Sequence, residues 1–229
     1  MIRFSDVDGA PKEISAPEKL NIIESANQMS DFEVDSFWKA EFANARDSME
    51  MDPYERLLSE SFNRSEDEIN IDFGIDEKLL ADLESFRAEN WDAMDEIQRM
   101  AAIKEVLQKA VDRMGMNKTP EIALYDGALD DYGAYNPDTN EISLNRNLFN
   151  DPIETLNTAM HELRHAFQRF RADKLEAWED KLHAFNLGNY IQPLPLPDGN
   201  YLYYTDYYGQ FVEVDARVFA NKFTEALKG

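Results

Sequence analysis

Asp151-Pro152-Ile153-Glu154-Thr155-Leu156-Asn157-Thr158-Ala159-Met160-His161-Glu162-Leu163-Arg164-His165-Ala166-Phe167-Gln168-Arg169-Phe170-Arg171 is the stretch on which the fold turns. It opens with a capping acid, a proline at the first helical position and a glutamate three residues after the cap. Ile153, Leu156, Met160, Leu163, Phe167 and Phe170 then recur at spacings of three and four. That period predicts a helix from about 152 to 171 or beyond, with this stripe facing a core. Glu154, Asn157, Thr158, His161, His165 and Gln168 fall on the opposite side.

His161-Glu162-Leu163-Arg164-His165 has the form H-E-x-x-H. Residues four apart on a helix lie about 40° from each other, so both imidazoles can reach one ion. Glu162 projects about 100° from His161, near enough to hold a water on that ion without being a ligand. Zinc lowers the pKa of such a water to about 7, and a carboxylate can take its proton during attack on a carbonyl. The plain alternative is a pair of solvent-exposed histidines. Against it, the chain has only three histidines, and two of them occupy ligand spacing.

A third ligand has to come from elsewhere. His183 follows Lys181-Leu182 and reads as an ordinary surface or packing residue. Val212, Ala216, Phe219, Ala220, Phe223 and Leu227 form the apolar stripe of a predicted final helix from about 211 to 227, with Glu213 and Asp215 at its opposite edges. Those two point too far apart to bind one ion together. Ala216 and Ala220 flank Glu213 and permit close helix approach, whereas Asp215 has Phe219 and Lys222 beside it and a shorter reach. Glu213 is therefore the expected ligand; the alternative is an acid that only complements the helix macrodipole.

With these motifs the chain resembles a minimal zincin of the glutamate-ligand type, a gluzincin in the broad sense. Glu213-x-x-Ala216 resembles the second motif of the CAAX-processing zincins and of bacterial zincin-like regulators that cleave repressors. The metzincin continuation is absent, because Gln168 and Arg171 stand where it requires glycine and histidine. Glu141-Ile142-Ser143-Leu144-Asn145 resembles the edge strand that binds substrate backbone in zincins. Arg217 departs from the acidic or amide residue often found after the alanine. The resemblance covers roughly residues 90–229. It implies an α+β, zincin-like fold in which a small antiparallel sheet packs on the metal helix and a C-terminal ligand helix. It further implies one zinc per chain held by His161, His165 and Glu213, and peptide-bond hydrolysis with Glu162 as general base. Zincins often use a Tyr, His or Arg donor for the oxyanion; among Tyr201, Tyr203, Tyr204, Tyr207 and Tyr208, the candidates by closeness in sequence to Glu213 are Tyr208 or Tyr207. Packing or loop anchoring is the competing role for these rings.

Outward from the helix, Glu121-Ile122-Ala123-Leu124-Tyr125 alternates like a strand. Gly133-Ala134-Tyr135 and residues 141–145 flank the turn-rich Asn136-Pro137-Asp138-Thr139-Asn140, which predicts a hairpin. Met94, Ile97, Met100, Ile103, Leu107, Ala110 and Met114 predict a helix over 91–114, stopped by Gly115. Ser15-Ala16-Pro17-Glu18 and Asp52-Pro53-Tyr54-Glu55 read as helix starts. The expected division is an acidic helical extension over 1–75 and a zincin-like domain over 76–229.

Composition bounds the function classes. A formal charge of −23 disfavours nucleic acid and anionic membrane surfaces, which need basic patches. The chain has no cysteine, which removes disulfides and Cys-ligated metal sites. No apolar run of about 18 residues exists, and no secretory signal pattern opens the chain, so a cytoplasmic location is expected. The expected partner is a peptide or protein substrate; the sequence sets no oligomeric state. Competing readings are a regulatory or toxin-like zincin acting on one protein partner, and a non-catalytic interaction module stapled by zinc. Glu162 separates the last from an enzyme, since a structural site does not need it.

Overall fold

In a computed structural model of the protein, the described residues are 53–128, 131–196 and 199–228. The helix start expected at 15–18 lies outside them. In chain order the first elements are α1 (Pro53–Ser61), α2 (Glu77–Leu83), α3 (Ala88–Asp92), α4 (Glu96–Met114), β1 (Glu121–Tyr125), β2 (Gly133–Asn136) and β3 (Glu141–Asn145). There follow α5 (Pro152–Ala172), α6 (Trp178–Gly188), β4 (Leu194–Pro195), β5 (Tyr201–Leu202), α7 (Tyr204–Tyr208) and α8 (Phe211–Ala226). The architecture is α+β. No described helix is long and apolar enough to cross a membrane.

The chain divides into two compact units, Ser65–Ala184 with Val212–Gly229 and the residues up to Arg64 with Phe185–Phe211. The chain leaves the larger unit after Ala184 and re-enters it at Val212. In the smaller unit, Tyr54 of α1 meets Phe185 edge-on at 5.9 Å, and Asn186 Nδ2 donates to Ser61 O at 3.1 Å. There Gln210 both accepts from Ile191 N and donates to Ile191 O, closing the loop that carries β4, β5 and α7.

In the larger unit α4 begins at Glu96, later than the apolar period predicts. Asp95 caps it, accepting from Gln98 N, while the Gln98 side chain accepts from Asp95 N. That reciprocal box fixes the start and leaves Ile97 exposed. Gly115 ends the helix in the left-handed region at φ 65°. The buried face is Ile103, Val106, Leu107, Ala110 and Val111. Trp91 is buried beside α4, and its Nε1 donates to Phe149 O at 2.8 Å.

The sheet corrects two expectations. Its order is β1-β3-β2, with β1 parallel to β3 and β2 antiparallel, so it is mixed and not antiparallel. The predicted hairpin is present as β2 and β3, and Asn136 Oδ1 accepts from Asp138 N and Thr139 N inside its turn. β3, however, is the central strand, with Ile142 and Leu144 buried, so residues 141–145 cannot offer a free edge. β2 is the edge next to it. Hydrophobic alternation is the same for a central and an edge strand here, which is why sequence did not separate them. Gly133 lets β2 lie close: a Cβ there would stand 2.8 Å from both Ser143 O and Thr158 Cγ2 of α5.

Candidate metal centre

α5 starts where the local signals place it. Asp151 Oδ1 accepts from Ile153 N and Glu154 N at 3.0 and 3.1 Å, and Thr155 Oγ1 donates to Leu148 O at 2.9 Å. Leu156, Ala159, Met160 and Leu163 are wholly buried. The stripe is otherwise not the one expected: Phe167 and Phe170 are half-buried, while Gln168 and Thr158, assigned to the polar side, are buried. The reason lies in α8. Its first residues from Phe211 to Ala216 are all buried, and polar groups of the two helices bond to each other.

The polar side gathers three groups. His161 Nε2 and His165 Nε2 lie 3.0 Å apart. Glu213 presents one carboxylate oxygen to each, Oε2 to His161 and Oε1 to His165, both at 3.4 Å. The ligand atoms of His161, His165 and Glu213 all lie within 4.8 Å of one another. At zinc bond lengths of about 2.0–2.2 Å, tetrahedral ligand atoms stand about 3.3–3.5 Å apart. Both His–Glu edges match that spacing, and the His–His edge is a few tenths of an ångström short. Two imidazoles and one carboxylate are a donor set that could hold a divalent cation.

Glu162 is buried beside this group without belonging to it. Burial pushes its carboxyl up to about 7; Glu213 adds to that, while His165 and the Tyr135 backbone N–H oppose it. The N–H of edge strand β2 is thus turned to the carboxylate.

Asp215 faces a different set. It binds Arg164 through two bonds, Nε to Oδ2 at 2.7 Å and Nη2 to Oδ1 at 2.8 Å, with both side chains largely buried. Burial would raise its carboxyl, but Arg164 above all, with His183 and Gln168, holds it below the usual carboxylate range. Gln168 joins this pair to the histidines: Nε2 donates to Val212 O at 2.8 Å and to Asp215 Oδ2 at 2.7 Å, and Oε1 meets His165 Nδ1 at 2.8 Å. Sequence reading placed Gln168 merely on the polar side and gave Asp215 no role. Arg164 inside the His161–His165 motif and Asp215 beside Glu213, opposite charges on two helices expected to pack together, were the available signal. Arg217, noted as a departure, turns instead to Glu66 at 3.3 Å.

His183 is a buried packing residue, and burial lowers its pKa to about 4 against the opposing charge of Asp215. Tyr208 lies in the smaller unit, exposed, with its ring stacked on Tyr204 at 6.0 Å. Within the unit that holds the centre, the phenol that feels Glu162 is Tyr125, at the end of β1. Burial, then Asp131 and Glu162, push that phenol well above its ordinary range, so it stays a hydrogen-bond donor. Its loop is pinned by Asn145, whose Nδ2 donates to Ala128 O at 2.6 Å and to Asp131 O at 2.5 Å. Compared with family models, curated proteins and solved structures, the chain matches none.

Proposed function

We propose that this protein is a zinc-dependent peptidase with a zincin-like arrangement of the glutamate-ligand kind, acting on a peptide or protein substrate. The observation that carries the reading is the convergence of His161, His165 and Glu213 within 4.8 Å, with the Glu162 carboxylate buried alongside and outside the ligand set. Zinc held there would supply Lewis acidity toward a water and a peptide carbonyl. Glu162 takes the proton of the attacking water and returns it to the leaving nitrogen, a role suited to a carboxyl poised near neutrality. Tyr125, whose phenol is also engaged by Asp131, and Tyr208, close in sequence to Glu213, are the phenols that can donate to charge developing on the carbonyl oxygen. The free edge of β2, whose Tyr135 N–H already faces Glu162, is the strand available to pair with an extended substrate.

The test is a peptide-library digest with full-length protein after zinc loading, run beside elemental analysis. Wild type and Glu162→Gln are expected to hold about one zinc each, with turnover of the variant lower by about 10² to 10⁴. His161→Ala is expected to lose the metal. Equal cleavage by wild type and Glu162→Gln would remove the catalytic reading, and zinc retained in full by His161→Ala would remove the site.

A further inference from the structure

We infer that Gln168 is a positioning residue that dictates which nitrogen of His165 is bare and faces Glu213. The inference rests on His165 being a metal ligand, as proposed above. A side-chain amide has one accepting and one donating end. The nitrogen end of Gln168 lies 2.8 Å from Val212 O and 2.7 Å from Asp215 Oδ2. Reversing the amide would set an oxygen against two oxygens inside a fully buried pocket, an arrangement with no proton to share. The oxygen end therefore faces His165 Nδ1 at 2.8 Å, and that nitrogen must carry the proton. A neutral imidazole protonated at Nδ1 has its lone pair on Nε2, the atom 3.4 Å from Glu213 Oε1.

Arg164 anchors the far end of this chain. Its two bonds orient the Asp215 carboxylate, and its guanidinium lies over Phe167 and Phe219, with centroids 4.5 and 5.2 Å away. The order of donation is then Arg164 to Asp215, Gln168 to Asp215, and His165 to Gln168. Each polar group on the path has its role determined by the one before it. The choice of an amide matters. A carboxylate at this position would still accept from His165 but would repel Asp215 and leave Val212 O without its donor.

The experiment uses the full chain with ¹⁵N-labelled histidine, first in chelator and then with added Zn²⁺. Nitrogen shifts report the tautomer of His165, and competition with a chromophoric chelator reports zinc affinity. Wild-type His165 is expected to be protonated on Nδ1 before and after zinc. Gln168→Met should admit the Nε2-protonated form, the tautomer favoured in water, and weaken zinc binding by about 10- to 100-fold. Gln168→Glu keeps an acceptor, so it should keep the tautomer and bind zinc more tightly than Gln168→Met while melting at a lower temperature. A residue that only fills space gives the reverse: the apolar variant would be the better one in both assays. Wild-type His165 protonated on Nε2 in chelator overturns the inference without any variant, even if Gln168→Met does not fold. So does a folded Gln168→Met that matches wild type in tautomer and affinity. A wild-type chain with the Nδ1 proton but no zinc uptake removes the metal reading and leaves the tautomer assignment supported.

Discussion

Glu213 and Asp215 stand two residues apart on α8, and both are buried, yet their surroundings have little in common. Glu213 faces two ring nitrogens, and Asp215 faces a guanidinium and an amide N–H. A carboxylate already bonded twice to Arg164 is neutralised within the protein and serves as a fixed acceptor. A carboxylate converging with two imidazole nitrogens makes a donor set that a divalent cation completes. The same functional group is thus tied to a guanidinium on one side of the helix and turned to two imidazoles on the other. Burial by itself does not distinguish these uses; the identity of the facing residues does.

The sharpest way to break the comparison is to delete each carboxylate in turn. Glu213→Ala should reduce zinc affinity far more than the about 10- to 100-fold expected when a supporting partner is lost in Asp215→Ala. Competition titration with a chelator measures both, and the reverse order would mean that α8 presents its other edge to the histidines.

Stability should respond in the opposite order. Asp215→Ala strands Arg164 and one Gln168 proton in a buried setting, so a loss of about 3–5 kcal/mol is expected by urea unfolding in chelator. Glu213→Ala should cost much less under the same conditions. Equal losses would show that the Arg164–Asp215 pair carries no special structural weight.

Glu162 gives the comparison a pH axis. Its folded pKa is about 7 against 4.5 in the unfolded chain, mainly because of burial. A raised folded pKa contributes stability that is fully present below 4.5 and is lost as pH rises through about 7. Metal-free Glu162→Gln lacks that loss. Relative to wild type it should gain up to about 3 kcal/mol between pH 4.5 and pH 8, followed by unfolding at a series of pH values. A difference that stays flat with pH would contradict the burial-driven shift.

The smallest expected effect tests the frame that holds the histidine side. Asp151→Ala removes the acceptor of Ile153 N and Glu154 N and should cost about 0.5–2 kcal/mol, with the zinc affinity unchanged. A large drop in affinity would show that the start of α5 is strained against the centre.

Local elements were legible. Asp151-Pro152 marks the start of α5, Pro53 that of α1, and the turn residues 136–140 the β2–β3 hairpin. The start of α4 was misread because an apolar period ran through Met94 and Ile97 while the Asp95–Gln98 box interrupted it. The polar side of α5 was legible as a face but not as an interior, since no periodicity of one helix reports what covers it.

The sequence by itself determined that His161 and His165 share a helix face with Glu162 beside them, because a spacing of four is set by the helix repeat alone. Tertiary structure decided the rest. β1 runs parallel to β3, Gln168 is buried, Asp215 pairs with Arg164, and Glu213 turns to the histidines. Arg164 and Asp215 are separated by 51 positions, and Gln168 and Val212 by 44. Contacts at that distance follow from which surfaces exclude water together, and α5 and α8 settle their rotation only when their side chains meet.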